Sequence, residues 1–322
     1  MTPRELREIV YNFRESRIIL TALELELFTA VGDGAKTSAD VSKIISSNVR
    51  ATDRLMNVLC NMNLLEKENE KFSNTEFSSR YLVKNSPDYI SNLMHASNLW
   101  DSWSNLTEII KEGKTIGRDA SKNKWKENFI EAMHYRASRE ALKDLNNLDL
   151  TGVKSVLDLG GGSGAYAMQF IKQKPDIKAT VFDLPDVIPL TLKYISANGF
   201  EGKINTIKGN YLYDDIGSGY DLIFLSAIIH SNSFEENKRL IKKCADALNA
   251  NGQIVIQDYA MDEDRLTPEV GALFAINMLV NTNGGDTFTQ EEIYSWLRDA
   301  CINDIKRNET IHVAAQIIGR KV

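Results

Sequence analysis

The run Val156-Leu157-Asp158-Leu159-Gly160-Gly161-Gly162-Ser163-Gly164 joins an apolar strand to an acid and four glycines, a combination suited to holding a nucleoside. Glycine is needed where the backbone must turn at positive φ and come close to a ligand. The stretch 165–172 that follows supplies a helix whose free N–H groups face that ligand. A second acid, Asp183 in Phe182-Asp183-Leu184-Pro185, ends the next strand 25 residues after Asp158, where it can accept from ribose hydroxyls. Gly160, Gly162 and Ala165 with that acid also satisfy the dinucleotide fingerprint, so the pattern alone admits two nucleosides, one of them a dehydrogenase's.

The elements that must position these residues are legible as alternation. Strands near 154–159, 178–183, 204–208, 220–226 and 252–258 alternate with helices near 164–172, 187–198 and 235–249, which predicts a parallel, doubly wound α/β sheet. A helix near 289–300 and apolar runs over 301–306 and 312–319 suit an antiparallel edge hairpin. Upstream, residues 5–30 read as one amphipathic helix or a broken pair. Thr37 and Ser38 cap a helix over 39–45, and 52–62 forms a second with Leu55, Val58, Leu59 and Met62 on its apolar face. Residues 64–67 and 71–73 then read as a hairpin, which completes a winged helix. Residues 86–145, with Trp100, Trp103, Trp125 and Phe129, read as connecting helices.

A chain of 322 residues predicts two domains of unequal size. Its net charge of −6, from 38 basic and 44 acidic side chains, argues against nucleic acid as the main partner and against an anionic membrane surface. The second helix of the winged-helix module offers only Arg50 and Arg54 near its start, too few cations for phosphate contacts. The module therefore reads as a packing and dimerisation element. Cys60, Cys244 and Cys301 are too scattered for a disulfide framework or a metal cluster and read as reduced thiols. Residues 1–8 carry no apolar leader core, and no segment approaches the roughly 18 apolar residues of a membrane span. A cytoplasmic protein with no membrane insertion is expected.

Beside the glycine loop and Phe182-Asp183-Leu184-Pro185, the chain carries Gly209-Asn210-Tyr211, His230 after the fourth strand, and Met278 ahead of Asn283-Gly284-Gly285. Together these resemble the S-adenosyl-L-methionine-dependent small-molecule O-methyltransferase family of plant caffeate, animal hydroxyindole and bacterial polyketide enzymes. The resemblance covers nearly the whole chain. It implies a class I methyltransferase, Rossmann-like doubly wound sheet with a helical N-terminal winged-helix domain. It further implies that residues 1–85 form a homodimer, that 86–145 line the substrate pocket, and that 146–322 bind the cofactor. In that frame Asp158, Gly160 and Gly162 surround the cofactor's methionine end, Asp183 takes both ribose hydroxyls, and Leu184 packs on adenine. Asn210 stands where the family usually has an acid beside adenine, with Tyr211 next to it, and Ser226 stands where plant members often carry lysine.

A phenol with pKa about 10 is a weak nucleophile at neutral pH until a base takes its proton, and an imidazole with pKa near 6.5 suits that task. The resemblance makes His230 this general base; taken alone, it also reads as a hydrogen-bonded histidine at a strand end. Ser231-Asn232 follow it where the family commonly has Asp-Trp. Asp258, ending the fifth strand, matches the acid that orients the imidazole. A second orienting acid belongs just after Gly284-Gly285, where Thr287 holds the aligned position and Asp286 is its neighbour. Met133 and Met278 match positions that sandwich a planar acceptor. No cluster of Asp, Asn and His near His230 suggests a metal. The expected reaction is methyl transfer to a hydroxyl of a small, aromatic or polyketide-like acceptor. Two alternatives stay open: a C-methyltransferase acting on a tetrapyrrole, quinone or isoprenoid, and a winged-helix regulator that senses S-adenosylmethionine.

Overall fold

A computed structural model describes residues 1–116, 125–310 and 314–322, which form two compact units, Met1–Trp100 and Asp101–Val322. The first opens with α1 (Pro3–Tyr11), α2 (Phe13–Glu24) and α3 (Leu27–Val31). The apolar pattern over 5–30 thus breaks twice, at Asn12 and at Glu26, whose φ of 51° lies in the left-handed region. Next come β1 (Lys36–Thr37), α4 (Ser38–Ile44), α5 (Val49–Asn61), β2 (Leu65–Glu68), β3 (Lys71–Asn74) and α6 (Glu76–Tyr81). Thr37 and Asp40 form a reciprocal capping box that starts α4. Asn48 accepts from the Ala51 N–H at 3.1 Å, so α5 begins three residues before Thr52. Its buried face is Thr52, Met56 and Leu59, while Leu55, Val58 and Met62 are half-buried. The hairpin β2–β3 gains a third antiparallel strand, β1, paired at Lys36 with Phe72. Leu27, Phe28, Val41, Met56, Leu59 and Phe72 make the core of this unit.

Two features bear on what the module does. Arg54 is paired with Asp53 at 2.6 Å, which leaves still less free positive charge at the start of α5. In α1 no residue is buried, and Leu6, Ile9 and Val10 are 51%, 58% and 58% exposed.

Helices α7 (Leu93–Trp103), α8 (Leu106–Glu112) and α9 (Trp125–Leu145) follow. The second unit then alternates β4 (Ser155–Leu159), α10 (Ala165–Gln173), β5 (Lys178–Asp183), α11 (Ile188–Ala197), β6 (Ile204–Lys208), β7 (Tyr220–Ser226), α12 (Phe234–Ala247) and β8 (Leu248–Asp258). It closes with β9 (Ala260–Met261), α13 (Glu269–Asn281), β10 (Phe288–Thr289), α14 (Gln290–Asp299), β11 (Ile302–Glu309) and β12 (Ala315–Lys321). His312, in the run expected to begin the last strand, lies outside the described residues. The large sheet has seven strands in the order β11-β12-β8-β7-β4-β5-β6, with β12 antiparallel to both neighbours and the remaining pairs parallel. Parallel strands are covered on both faces, which is why Val156, Leu157, Leu159, Val181, Phe182, Leu222 and Phe224 form near-continuous apolar runs. The chain runs outward from β4 through β5 and β6, then returns across the sheet to β7. The order therefore reverses between β4 and β7, and the crevice beyond their carboxyl ends is where such sheets take ligands.

Candidate active site

The glycine loop leaves β4 at this switch point. Gly160, Gly162 and Gly164 have φ of 68°, 56° and 75°, and a Cβ on Gly160 would collide with Ile228. The loop is tied down on both sides: Gly160 N–H donates to the Phe182 carbonyl at 2.7 Å, and Thr191 Oγ1 donates to the Gly162 carbonyl at 2.6 Å. Asp158 lies beneath it, 1% exposed, accepting from the Ala167 N–H in the first turn of α10 at 3.1 Å. Burial pushes its carboxyl up to about 7, with the charge of Asp183 adding to the rise and the Ala167 N–H opposing it. A Cβ on Gly161 would sit 2.6 Å from that carboxylate. Gly161→Ala is accordingly expected to destabilise the protein by about 1–3 kcal/mol, since a short, buried aspartate has little room to yield. Urea unfolding would read this, and an unchanged midpoint would show that the loop relaxes.

Asp183 faces the same loop. Its Oδ2 accepts from the Gly162 N–H and its Oδ1 from the Leu184 N–H, both at 2.7 Å. Burial raises its pKa, and those two donors with the Lys126 charge oppose the rise. Each oxygen retains acceptor capacity for one hydroxyl of a vicinal pair, so the cradle fits a ribosyl ligand. Leu184 beside it is 40% exposed, an apolar surface open to a base. Asn210 uses its carboxamide oxygen on the Leu212 N–H at 3.0 Å, and its Nδ2 makes no hydrogen bond among the described residues. Tyr211 turns its hydroxyl inward to Asn232 Oδ1 at 3.2 Å. Ser226 accepts from Gln257 Nε2 at 3.4 Å at the edge of a buried network in which Tyr166 and Gln257 both donate to Asp144. These last two residues support the crevice from behind.

The second half of the site is built on a short turn. Past β7 the chain makes one 3₁₀ turn, Ile229–Ser231, that carries His230. Its Nδ1 lies 2.8 Å and 3.0 Å from the two carboxylate oxygens of Asp258, whose side chain is almost fully buried at the end of β8. The turn is held from below by Asn237, which donates from Nδ2 to the Ile229 carbonyl at 2.8 Å and accepts from Asn232 Nδ2 at 3.0 Å. From above, Gly285 presses so closely that a Cβ there would collide with the His230 carbonyl. The parallel pairing of β9 with β10 brings the segments after Asp258 and after Gly285 together. Phe274 on α13 meets the imidazole edge-on, with ring centroids 4.9 Å apart, and Met278 is buried one turn further along.

The second orienting group expected after Gly285 falls elsewhere. Asp286 pairs with Arg265 at 3.6 Å, and the buried Thr287 hydroxyl donates to the Gly271 carbonyl, so neither orients His230. Met133 is half-buried on α9. His134 contacts Ser163 of the glycine loop at 2.8 Å and stacks on Tyr194, its pKa lowered by burial and then by Arg139. Two residues had not been anticipated, Phe274 and Asn237. Phe274 stands four residues before Met278, a helical spacing that marks one shared face. Among the described residues no group of His, Cys, Asp and Glu could hold a metal ion, and no helix is long and apolar enough to cross a membrane.

A seven-stranded sheet with a nucleoside cradle at its switch point and a histidine–carboxylate pair beside it defines a class I methyltransferase. Comparison with known proteins carries this further. The O-methyltransferase domain model matches residues 103–301, and the O-methyltransferase dimerisation domain model matches residues 8–84. The chain belongs to the O-methyltransferase family and is an S-adenosylmethionine-dependent O-methyltransferase. It is 29% identical over 313 residues to a 3-hydroxy-5-methyl-1-naphthoate 3-O-methyltransferase of Streptomyces sahachiroi, spanning 94% of this chain and 90% of that one. It is 27% identical over 339 residues to the acetylserotonin O-methyltransferase of Bos taurus, spanning 98% and 97%. An O-methyltransferase family protein from Burkholderia thailandensis superposes with a TM-score of 0.90 at 26% identity, over 100% of this chain and 98% of that one.

Proposed function

We propose that this enzyme methylates a hydroxyl of a small aromatic or polyketide-like acceptor, with His230 as general base and Asp258 as the carboxylate that orients it. The contacts of His230 Nδ1 with both Asp258 oxygens carry the reading. A carboxylate only accepts, so Nδ1 holds the proton and the imidazole lone pair is at Nε2, ready for a phenolic proton. Bound S-adenosylmethionine supplies a methyl group on a positively charged sulfur. Gly160 and Gly162 let the backbone approach it, Asp158 contributes a nearby acidic group, Asp183 accepts from the ribose, and Leu184 and the Asn210 Nδ2 meet the base. Tyr211 and Ser226 hold the walls of that site. Met133 and Met278 flank the acceptor.

Both relatives are named for aromatic acceptors, which supports the acceptor class, and both methylate oxygen by name, which leaves the carbon-methylating alternative unfavoured. In this reading residues 1–85 form a homodimer, for which the exposed apolar face of α1 and the dimerisation-domain match speak, and residues 146–322 hold the cofactor. Incubation with an isotopically labelled methyl donor and a panel of phenols is the test. The label is expected on oxygen, seen as a methoxy resonance. A label on carbon would overturn the reading.

A further inference from the structure

We infer that His134 is a positioning residue of the cofactor site: by fixing Ser163 it holds the glycine loop in the shape that serves Asp183, and so sets the affinity for the adenosyl cofactor. The inference rests on the ribose cradle proposed above. Three polar groups of residues 162 and 163 are each spent on a different element. The Gly162 N–H donates to Asp183 Oδ2 at 2.7 Å. The Gly162 carbonyl accepts from Thr191 on α11 at 2.6 Å. The Ser163 hydroxyl lies 2.8 Å from His134 Nδ1 on α9. The acid that takes the ribose in this reading is thus only as well placed as a peptide tied from two helices.

The sense of the last bond is fixed. Ser163 is 3% exposed and its hydroxyl has no other partner among the described residues, so its hydrogen goes to Nδ1, and the imidazole is neutral with its proton on Nε2. Burial, and then the Arg139 charge, lower the pKa of His134, which keeps Nδ1 able to accept. The ring is stacked on Tyr194, with centroids 4.2 Å and planes 28° apart. Tyr194 stands one turn after Thr191 on α11, so the two helices that grip the loop also grip each other. Ile130, one turn before His134, closes the same face: a Cβ on Gly162 would lie 3.7 Å from its Cδ1. A glycine-rich loop has unusually many conformations to lose, and tying it before the ligand arrives raises affinity by removing that loss from the binding step.

Calorimetric titration of the full-length enzyme with demethylated cofactor is the test, with circular dichroism as the check on folding. Ser163→Ala and His134→Phe each remove the bond, the second keeping a ring against Tyr194. Each is expected to weaken binding about five- to tenfold, the worth of one neutral hydrogen bond. The double variant should bind no more weakly than the weaker single one, because both substitutions break the same bond. His134→Asn should bind within about twofold of wild type, since its carboxamide can reach Ser163 as Nδ1 does. Unchanged affinity in Ser163→Ala, additive losses in the double variant, or a His134→Asn enzyme as weak as His134→Phe overturns the inference. Asp183→Ala separates the inference from the reading beneath it. Binding that survives this substitution sinks the ribose cradle and the inference together, whereas binding lost in Asp183→Ala but kept in Ser163→Ala and His134→Phe sinks the inference alone.

Discussion

His230→Ala is expected to lower kcat about a thousandfold at pH 7 on a phenolic acceptor while affinity for demethylated cofactor stays within about twofold. The size follows from the role proposed for the imidazole: with Nδ1 fixed by both oxygens of Asp258, the Nε2 lone pair would meet the acceptor in one orientation. The cofactor should be unaffected because the residues proposed to hold it, Asp183 and the glycine loop, follow β5 and β4, on separate backbone. A pH profile separates a base from a structural histidine. Without the imidazole the acceptor must ionise unaided, so the variant's rate should climb tenfold per pH unit from 7 towards the phenol pKa of about 10. Wild type should show no such climb over that range, because its base removes the proton at every pH in it. Asp258→Asn should fall between the two, because an amide can hold the ring but also stabilises the wrong tautomer. A His230→Ala enzyme that turns over at the wild-type rate at pH 7 would remove the base from the mechanism.

The parallel strands could be read because burial on both faces writes them as uninterrupted apolar runs, and β5, β6 and β7 begin and end where the alternation places them. The start of α5 and the break at Asn12 were less legible. Asn48 follows two serines and Asn12 lies between Tyr11 and Phe13, and only three-dimensional context decides which caps a helix and which interrupts one. The two-residue strands β9 and β10 are too short for any periodicity, although their pairing brings the segment after Asp258 against the one after Gly285. Within the site, residues that touch a ligand by backbone or by a short acid were marked by glycine and aspartate themselves. The supports were not. Asn237 and Asn232, which hold the His230 turn, look in sequence like ordinary polar residues of an amphipathic helix and its cap. Asp286 shows the converse: a carboxylate adjacent to the expected position turns to the nearest cation, Arg265, because an exposed acid answers to local charge before it answers to register.

Asp158→Asn should change stability in a pH-dependent way that few surface substitutions can imitate. The Asp158 carboxyl is raised from 3.8 to about 7, chiefly by burial. The native state therefore holds this proton more tightly than the unfolded chain does, and between those two values it binds more protons. Unfolding free energy must then fall as pH rises across that window and level off above about 7. The gap between the two values corresponds to roughly 4 kcal/mol, which the free enzyme forgoes at pH 8. An asparagine fills the same volume, can accept from the Ala167 N–H, and never ionises. Its melting temperature should approach or exceed that of wild type as pH rises from 5 to 8, by an amount on the order of 10 °C over the window. Melting curves of both proteins without ligand read this directly, and a difference that stays constant with pH would show that Asp158 is ionised throughout. The cost has a functional counterpart. As pH rises through 7, Asp158 gains a charge under the glycine loop that the neighbouring Asp183 disfavours, and a ligand bearing a sulfonium would offset that charge where its neutral sulfide product would not. The preference for methylated over demethylated cofactor should therefore widen between pH 6 and 8 in wild type and stay flat in Asp158→Asn, so that the buried acid which weakens the empty fold also favours release of the spent cofactor.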